Sequence, residues 1–395
     1  MGALTGVKVV DVSQVMAGPF CTMLLADMGA EVIKVESPGV GDPSRRMDPL
    51  TPSGESGAFL AMNRNKRGVA LNLKDPEARQ VFIDLAAISD IMVENYRPGV
   101  ARRLGIDYES LRSVNKGLIY ASISGFGQSG PYSSRGGFDL IAQGMSGIMS
   151  VTGQADGAPV KCGIPVTDLG SGLFAVYGIL SALYSRHQTG LGQHVDTSLF
   201  ETGLALAVWE ATEYFYTGRL PKPTGSAHRL SAPYQAFRTR DGYITVGADS
   251  DRHWPLFCRV LGLDSLPDDP RFRSNATRLQ NLGALVPIIE ARTATEKSVY
   301  WLAQLETAGI PSGPINTIPE ALADPQTLAR EMVVQMSHPR AGSIRALGTP
   351  VKLSLTPATI RRPAPLLGQH TEEVLDELKI SASARSAMRS RSAIA

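Results

Sequence analysis

Cysteine is scarce in this chain: three in 395 residues, at positions 21, 162 and 258. They are too few and too far apart for a disulfide framework or a cysteine zinc site, and they fit a reducing compartment. The six histidines, 187, 194, 228, 253, 338 and 370, show no H-x-x-x-H or Cys/His spacing, so no metal is expected. Charge of one sign is also missing. With 39 basic and 37 acidic residues the net charge is +2, which argues against a general nucleic-acid binder. No uncharged apolar run approaches a membrane span; Val166 to Tyr184 comes nearest and is broken by Asp168 and several glycines. The start, MGALTGVKVVDVSQ, has no basic segment followed by an apolar one, and lacks the Ser/Thr of a myristoylation site. A cytoplasmic protein with no membrane partner is expected. G-x-G-x-x-G does not follow the first strand, which counts against a nicotinamide or flavin site, and neither G-x-S-x-G nor a Walker A motif occurs.

What is present is ordinary globular composition, 43% hydrophobic and 19% charged, long enough for two domains. Val7 to Val12 and Glu31 to Glu36 read as strands around a helix from Phe20 to Met28, a β-α-β start and hence an α/β fold. Further strands are expected at Val69–Leu73, Asp90–Glu94, Leu118–Ser124 and His194–Leu199, with a helix from Pro76 to about Ala87. The Gly/Pro/Lys-rich stretch 217–227 reads as a linker. Beyond it, Tyr234–Arg238 and Tyr243–Gly247 flank Arg240-Asp241-Gly242, a hairpin signal. Strands are expected near Val333–Met336 and Val351–Leu353, and a helix over Thr371–Leu378. The Ser/Ala/Arg-rich end from Ser381 is expected to fray. The domain division is 1–216, linker 217–227, a small domain 228–325, and a return to the large domain over 326–395.

Two stretches carry candidate chemistry. In KCGIPVTDLGSGLFAVYGILSAL, residues 161–183, Asp168 stands where a polar turn meets a long apolar helix. Asp is a favoured N-cap. Equally, a carboxylate at a helix start beside Gly170 and Gly172 can act as a nucleophile toward an acyl group. The second is basic: Asn63-Arg64-Asn65-Lys66-Arg67, Lys74, Arg97 and Arg103, with Tyr96 among them. The Asn63–Arg67 run precedes the Val69 strand, whereas Lys74, Arg97 and Arg103 follow strands. Those three are expected to converge on a phosphate-binding crevice at the C-terminal strand ends, with Tyr96 as an aromatic face; the alternative is a solvated basic rim.

The ordered set of stretches resembles the class III CoA-transferase family. VKVVDVSQVMAGPFCTMLLADMGAEVIKVE, NRNKRGVALNLK, VENYRPG, GLIYASISGFGQSGP, the Asp168 stretch, TGLGQHVDTSLFE, PYQAF with DGYITVGA, and PLLGQHTEEVL span residues 7 to 375. The resemblance implies a large Rossmann-like domain built from both chain ends, a smaller inserted α+β domain, and a homodimer whose chains interlock like linked rings. It implies that Asp168 is the catalytic aspartate and that Met16 and Ala17 lie at the thioester end of coenzyme A. It also implies that Leu71, Lys74, Asn95, Tyr96, Arg97, Arg103, Arg135, Phe138 and Asp139 fall at coenzyme A positions. Ser37 replaces an arginine of the formyl-CoA branch, and Met16 replaces a glutamine there, which weakens oxalate as the acceptor. Coenzyme A enters as a thioester substrate, with no prosthetic group.

The implied activity is acyl-CoA:carboxylate CoA transfer, with succinyl-CoA and a short dicarboxylate favoured. The alternatives are a 2-methylacyl-CoA racemase and an inactive CoA-binding protein. The racemases resemble one another in a Gly-His-Asp segment, which here reads Gly137-Phe138-Asp139; Phe138 cannot carry a proton. Arg46, Arg229 and Arg252 are candidates for the distal carboxylate, and Gly247 to Ser250 for a segment near the site.

Overall fold

The structure, a computed structural model, describes residues 1–395. Two compact units divide the chain: 1–148, 161–217 and 325–395 form the larger, and 149–160 with 218–324 the smaller.

The larger unit is built on a parallel sheet of β1 (Lys8–Asp11), β2 (Glu31–Glu36), β3 (Lys66–Ala70), β4 (Ile91–Glu94), β5 (Ile119–Ser124) and β6 (His194–Ser198), in the order β3-β2-β1-β4-β5-β6. That is the Rossmann order, in which the direction of winding reverses between β1 and β4. β1 pairs with both neighbours, Val9 opposite Val32 on one side and Ile91 on the other. Its valines are buried on both faces, as a central parallel strand requires. One face packs Val10, Ile33, Met92 and Tyr120 against Phe82 and Leu85 of helix Pro76–Ala87. The other packs Val9, Val32, Ile91 and Ile119 against α1 (Ala17–Asp27) and the long helix Val166–Thr189. By length and composition that helix could cross a membrane, contrary to the sequence expectation. Its inward residues Ala175, Ile179 and Ala182 belong to the sheet's core.

Two expectations for the C-terminal part are overturned. Residues 351–353 form no strand; β10 (Val333–His338) pairs instead with β11 (Gly342–Leu347). The end does not fray: Ala382–Ser390 is a helix, Met388, Ala393 and Ile394 are buried, and Ile394 bridges to Leu71. A few apolar residues among many Ser, Ala and Arg suffice, because they land on the open edge of the sheet beside β3.

The smaller unit holds the antiparallel sheet β7 (Tyr234–Arg238), β8 (Tyr243–Gly247) and β9 (Ser312–Pro314), the first two forming the expected hairpin. Helices pack Trp254, Phe257, Leu285 and Trp301 around Phe237 and Ile244.

Candidate active site

The long helix begins at Val166, so Asp168 is not its N-cap. The carboxylate that caps it is Asp139, which accepts from the Thr167 N–H at 2.9 Å and the Thr167 hydroxyl at 2.7 Å. Gln143 donates to the other Asp139 oxygen at 2.7 Å. Asp139 therefore works within the protein rather than lining the hollow. Asp168 sits in the first turn with no side-chain hydrogen bond or ion pair. Burial, followed by the nearby Asp139 charge, raises its carboxyl from the ordinary range to about 6.

Asp168 opens into a hollow of about 430 Å³ lined by Gln14 to Ala17, Asn95 to Pro98, Ser124-Gly125 and Arg135 to Phe138, among others. These segments leave the C-terminal ends of β1, β4 and β5, and the hollow sits where the winding reverses. Gly125 and Gly137 pack backbone to backbone beside it: a Cβ on Gly125 would lie 2.6 Å from the Gly137 Cα. Phe138 is 71% exposed and shares the hollow with Asp168. Arg135 stacks on Tyr132, its guanidinium 4.0 Å from the ring centre.

Of the residues the sequence singled out, Met16, Ala17, Asn95, Tyr96, Arg97, Arg135, Phe138 and Asp168 line this hollow. Leu71, Lys74 and Arg103 do not. Leu71 is buried against the C-terminal end. Lys74 follows β3, which lies three strand spacings from β4 in the sheet, about 14 Å at the usual separation. Arg46 also lies outside the lining, and Arg229, Arg252 and Gly247 to Ser250 belong to the smaller unit.

The Asn63–Arg67 run is not a phosphate surface. All five residues are buried. Arg64 pairs with Asp27 at 2.6 Å, Lys66 with Asp11 at 2.9 Å, and Arg67 with Glu31, Glu373 and Glu377. These cations tie β3 and the residues before it to α1, β1, β2 and the helix Thr371–Glu377. Breaking the buried Arg64–Asp27 or Lys66–Asp11 pair costs about 3–5 kcal/mol; the Arg67 pairs, whose glutamates are half exposed, are worth less. Burial would raise the Asp11 carboxyl, but Lys66 and Lys34 outweigh it and hold it at about 2.

Sequence reasoning missed Gln14 and Val15, which line the hollow beside Met16. Val15 adopts φ +65°, a conformation that no sequence signal assigns to a β-branched residue. It also missed Glu94, whose side chain accepts the Tyr96 N–H at 2.7 Å and shapes the Asn95–Arg97 turn. Burial raises the Glu94 carboxyl to about 7.

The pattern of CoA-transferase family III matches residues 4–371. Succinyl-CoA:glutarate CoA-transferase of Mus musculus is 43% identical over 378 residues, 96% of this chain and 87% of that protein. Succinate–glutarate CoA-transferase of Agrobacterium fabrum is 38% identical over 382 residues, 95% of this chain and 96% of that protein. A CAIB/BAIF family protein from Brucella suis superposes with a TM-score of 0.86 at 38% identity, over 95% of this chain and 99% of that one. With a sheet-end hollow and an unpaired carboxylate inside it, the chain belongs to CoA-transferase family III and is an acyl-CoA:carboxylate CoA-transferase.

Proposed function

We propose that the enzyme transfers coenzyme A from succinyl-CoA to a small dicarboxylic acid through a covalent intermediate on Asp168. The single observation that carries the reading is the Asp168 carboxylate, half-buried in the hollow with no partner to satisfy or block it. An Asp168 oxygen attacks the thioester carbonyl; the C–S bond breaks, leaving a mixed anhydride and coenzyme A thiolate. The thiolate attacks the aspartyl carbonyl and expels the donor acid, giving an aspartyl thioester. The acceptor carboxylate then attacks that thioester, the thiolate leaves again, and its attack on the acceptor's acyl carbon forms the new acyl-CoA and frees Asp168. Ala17, at the first turn of α1, offers the oxyanion an N–H at the positive end of the helix. Asn95 to Arg97 and Arg135 bind coenzyme A beside the hollow. Lys74 and Arg103 are assigned to the more distant part of the same long ligand, whereas Leu71 is closed off by the C-terminal end.

Succinyl-CoA and a dicarboxylate are favoured by the relatives' names. Phe138 disfavours racemisation, because the second face of an α-carbon would meet a ring that neither takes nor gives a proton. A panel of acyl-CoA donors against carboxylic acids, read by mass spectrometry, tests the substrates. Transfer from succinyl-CoA to a dicarboxylate supports the reading, and a preference for monocarboxylates throughout would refute it.

The working form is proposed to be a homodimer with interlocked chains. The long helix leaves Leu173, Phe174, Tyr177, Leu180 and Tyr184 exposed. Beside Leu173 and Leu180 an apolar hollow of about 620 Å³ is lined by Phe20, Leu24, Val351 and Leu353. So much contiguous apolar surface fits coverage by a second copy.

A further inference from the structure

The turn that faces Asp168, Gln14 to Ala17, is held at every residue that leads into it. Lys34 Nζ donates to the Ser13 carbonyl at 2.8 Å. The Asn95 side chain takes both backbone groups of Gln14, accepting its N–H at 2.7 Å and donating to its carbonyl at 2.8 Å. The Val15 N–H donates to both oxygens of Asp42, at 3.1 and 3.2 Å. Asp42 is itself fixed from three sides. It pairs with Lys34 at 2.9 Å, both side chains fully buried, and accepts from the Ser44 N–H and hydroxyl. Its own N–H donates to Glu36, which Arg45 grips.

This binding surrounds a strained residue. Val15 at φ +65° is a β-branched side chain in the left-handed region, a conformation that persists only where its surroundings over-determine it and that clusters at functional sites. Relaxation to negative φ would swing Met16 and Ala17, and with them the start of α1. We propose that Asp42, acting through the Val15 amide, is a positioning residue of the transfer reaction: with Lys34 it keeps the Gln14–Ala17 turn seated against Asp168. The inference rests on Asp168 being the nucleophile. Asp42 touches no substrate; it fixes the wall against which the thioester is aligned, and a shift of about 1 Å there can cost 100-fold in rate.

The test is steady-state CoA transfer by the full chain. Lys34→Met/Asp42→Ala removes both buried charges together, so neither is left unpaired. It is expected to lower kcat by about 10- to 100-fold while the KM for acyl-CoA stays within about twofold, since the coenzyme A contacts at Asn95–Arg97 and Arg135 remain. Adding Val15→Gly should recover much of the lost kcat, because glycine takes positive φ without steric cost and no longer needs the tether. A purely structural role would show no such recovery. Val15→Pro leaves the buried pair intact, forbids positive φ, and should lower kcat in the same way. Unchanged kcat in either tether-breaking variant, a loss confined to KM, or no recovery with glycine overturns the role. Asp168→Ala runs in parallel: an active Asp168→Ala protein overturns the nucleophile reading beneath the inference. An inactive one beside an unimpaired Lys34→Met/Asp42→Ala protein overturns the positioning role alone.

Discussion

Gly172 lies so close to Ala17 that a Cβ built on it would sit 2.7 Å from the Ala17 carbonyl oxygen. Asp168 is one helical turn earlier on the same face, so this contact sets how near the nucleophile comes to the turn that lines the other wall. Gly172→Ala must push the long helix away from α1, since backbone on both sides cannot yield. The expected result is a loss of about 1–3 kcal/mol of stability, as for overpacking generally. A fall of kcat by at least about 10-fold should accompany it; thermal unfolding and steady-state kinetics measure the two.

The nearby Asp139 carboxylate is a lesser cause of the raised Asp168 carboxyl, after burial. Asp139→Asn keeps an oxygen to cap Thr167 but removes the charge. The ionised form of Asp168 then becomes easier to reach, and the acid limb of kcat/KM should move to lower pH. Glu94, raised to about 7 by burial, is left in place, so the movement of the limb and not its existence is the measurement. An acid limb at the same pH in the variant would show that Asp139 does not act on the nucleophile.

A carboxyl whose folded value lies above its unfolded value weakens the fold when ionised. Asp168 goes from the ordinary 3.8 to about 6, so the folded protein holds the proton more tightly. The penalty is absent below about pH 4 and complete above about pH 6. Allowing for its partial exposure, that is on the order of 1–2 kcal/mol. Asp168→Asn should therefore be more stable than the natural protein at pH 8 and lose that advantage by pH 4. Denaturant titrations at the two pH values check it.

Arg97 and Arg135 line the hollow, whereas Lys74 and Arg103 do not. Arg97→Ala and Arg135→Ala are expected to weaken coenzyme A binding by about 0.5–2 kcal/mol, between the exposed-pair value and the low end of the charge-assisted range, because both are exposed. Lys74→Ala and Arg103→Ala should matter less, with an effect that grows as salt is lowered. Calorimetric titration with coenzyme A gives the order.

The fold was legible where periodicity and β-branching agree. The Val-rich β1, the helix after Asp75-Pro76 and the β7–β8 hairpin all stand where the sequence put them. The Asn63–Arg67 run was misread for a physical reason: a run of three cations and two asparagines looks solvated until its partners arrive from Asp11, Asp27 and Glu377, up to 310 residues away. The cap on the long helix was not legible, and the sequence left Asp168 open between cap and nucleophile, because Asp139 reaches Thr167 from 28 residues earlier in the chain. Asp168 itself was visible as a carboxylate at the start of an apolar helix. That it is unpaired, and that Val15 is strained beside it, are properties of the fold alone.

The central claim is that Asp168 carries the acyl group and then coenzyme A. Incubation with succinyl-CoA in the presence of hydroxylamine or borohydride, followed by peptide mass spectrometry, tests it most directly, because an acylated aspartate has an electrophilic carbonyl that either reagent intercepts. The account predicts a hydroxamate or a reduced side chain at Asp168, formed only when acyl-CoA is present and absent from Asp168→Ala. An unmodified Asp168 in a protein that turns over, or solvent deuterium entering the α-position of a 2-methylacyl-CoA with no adduct trapped, would contradict it.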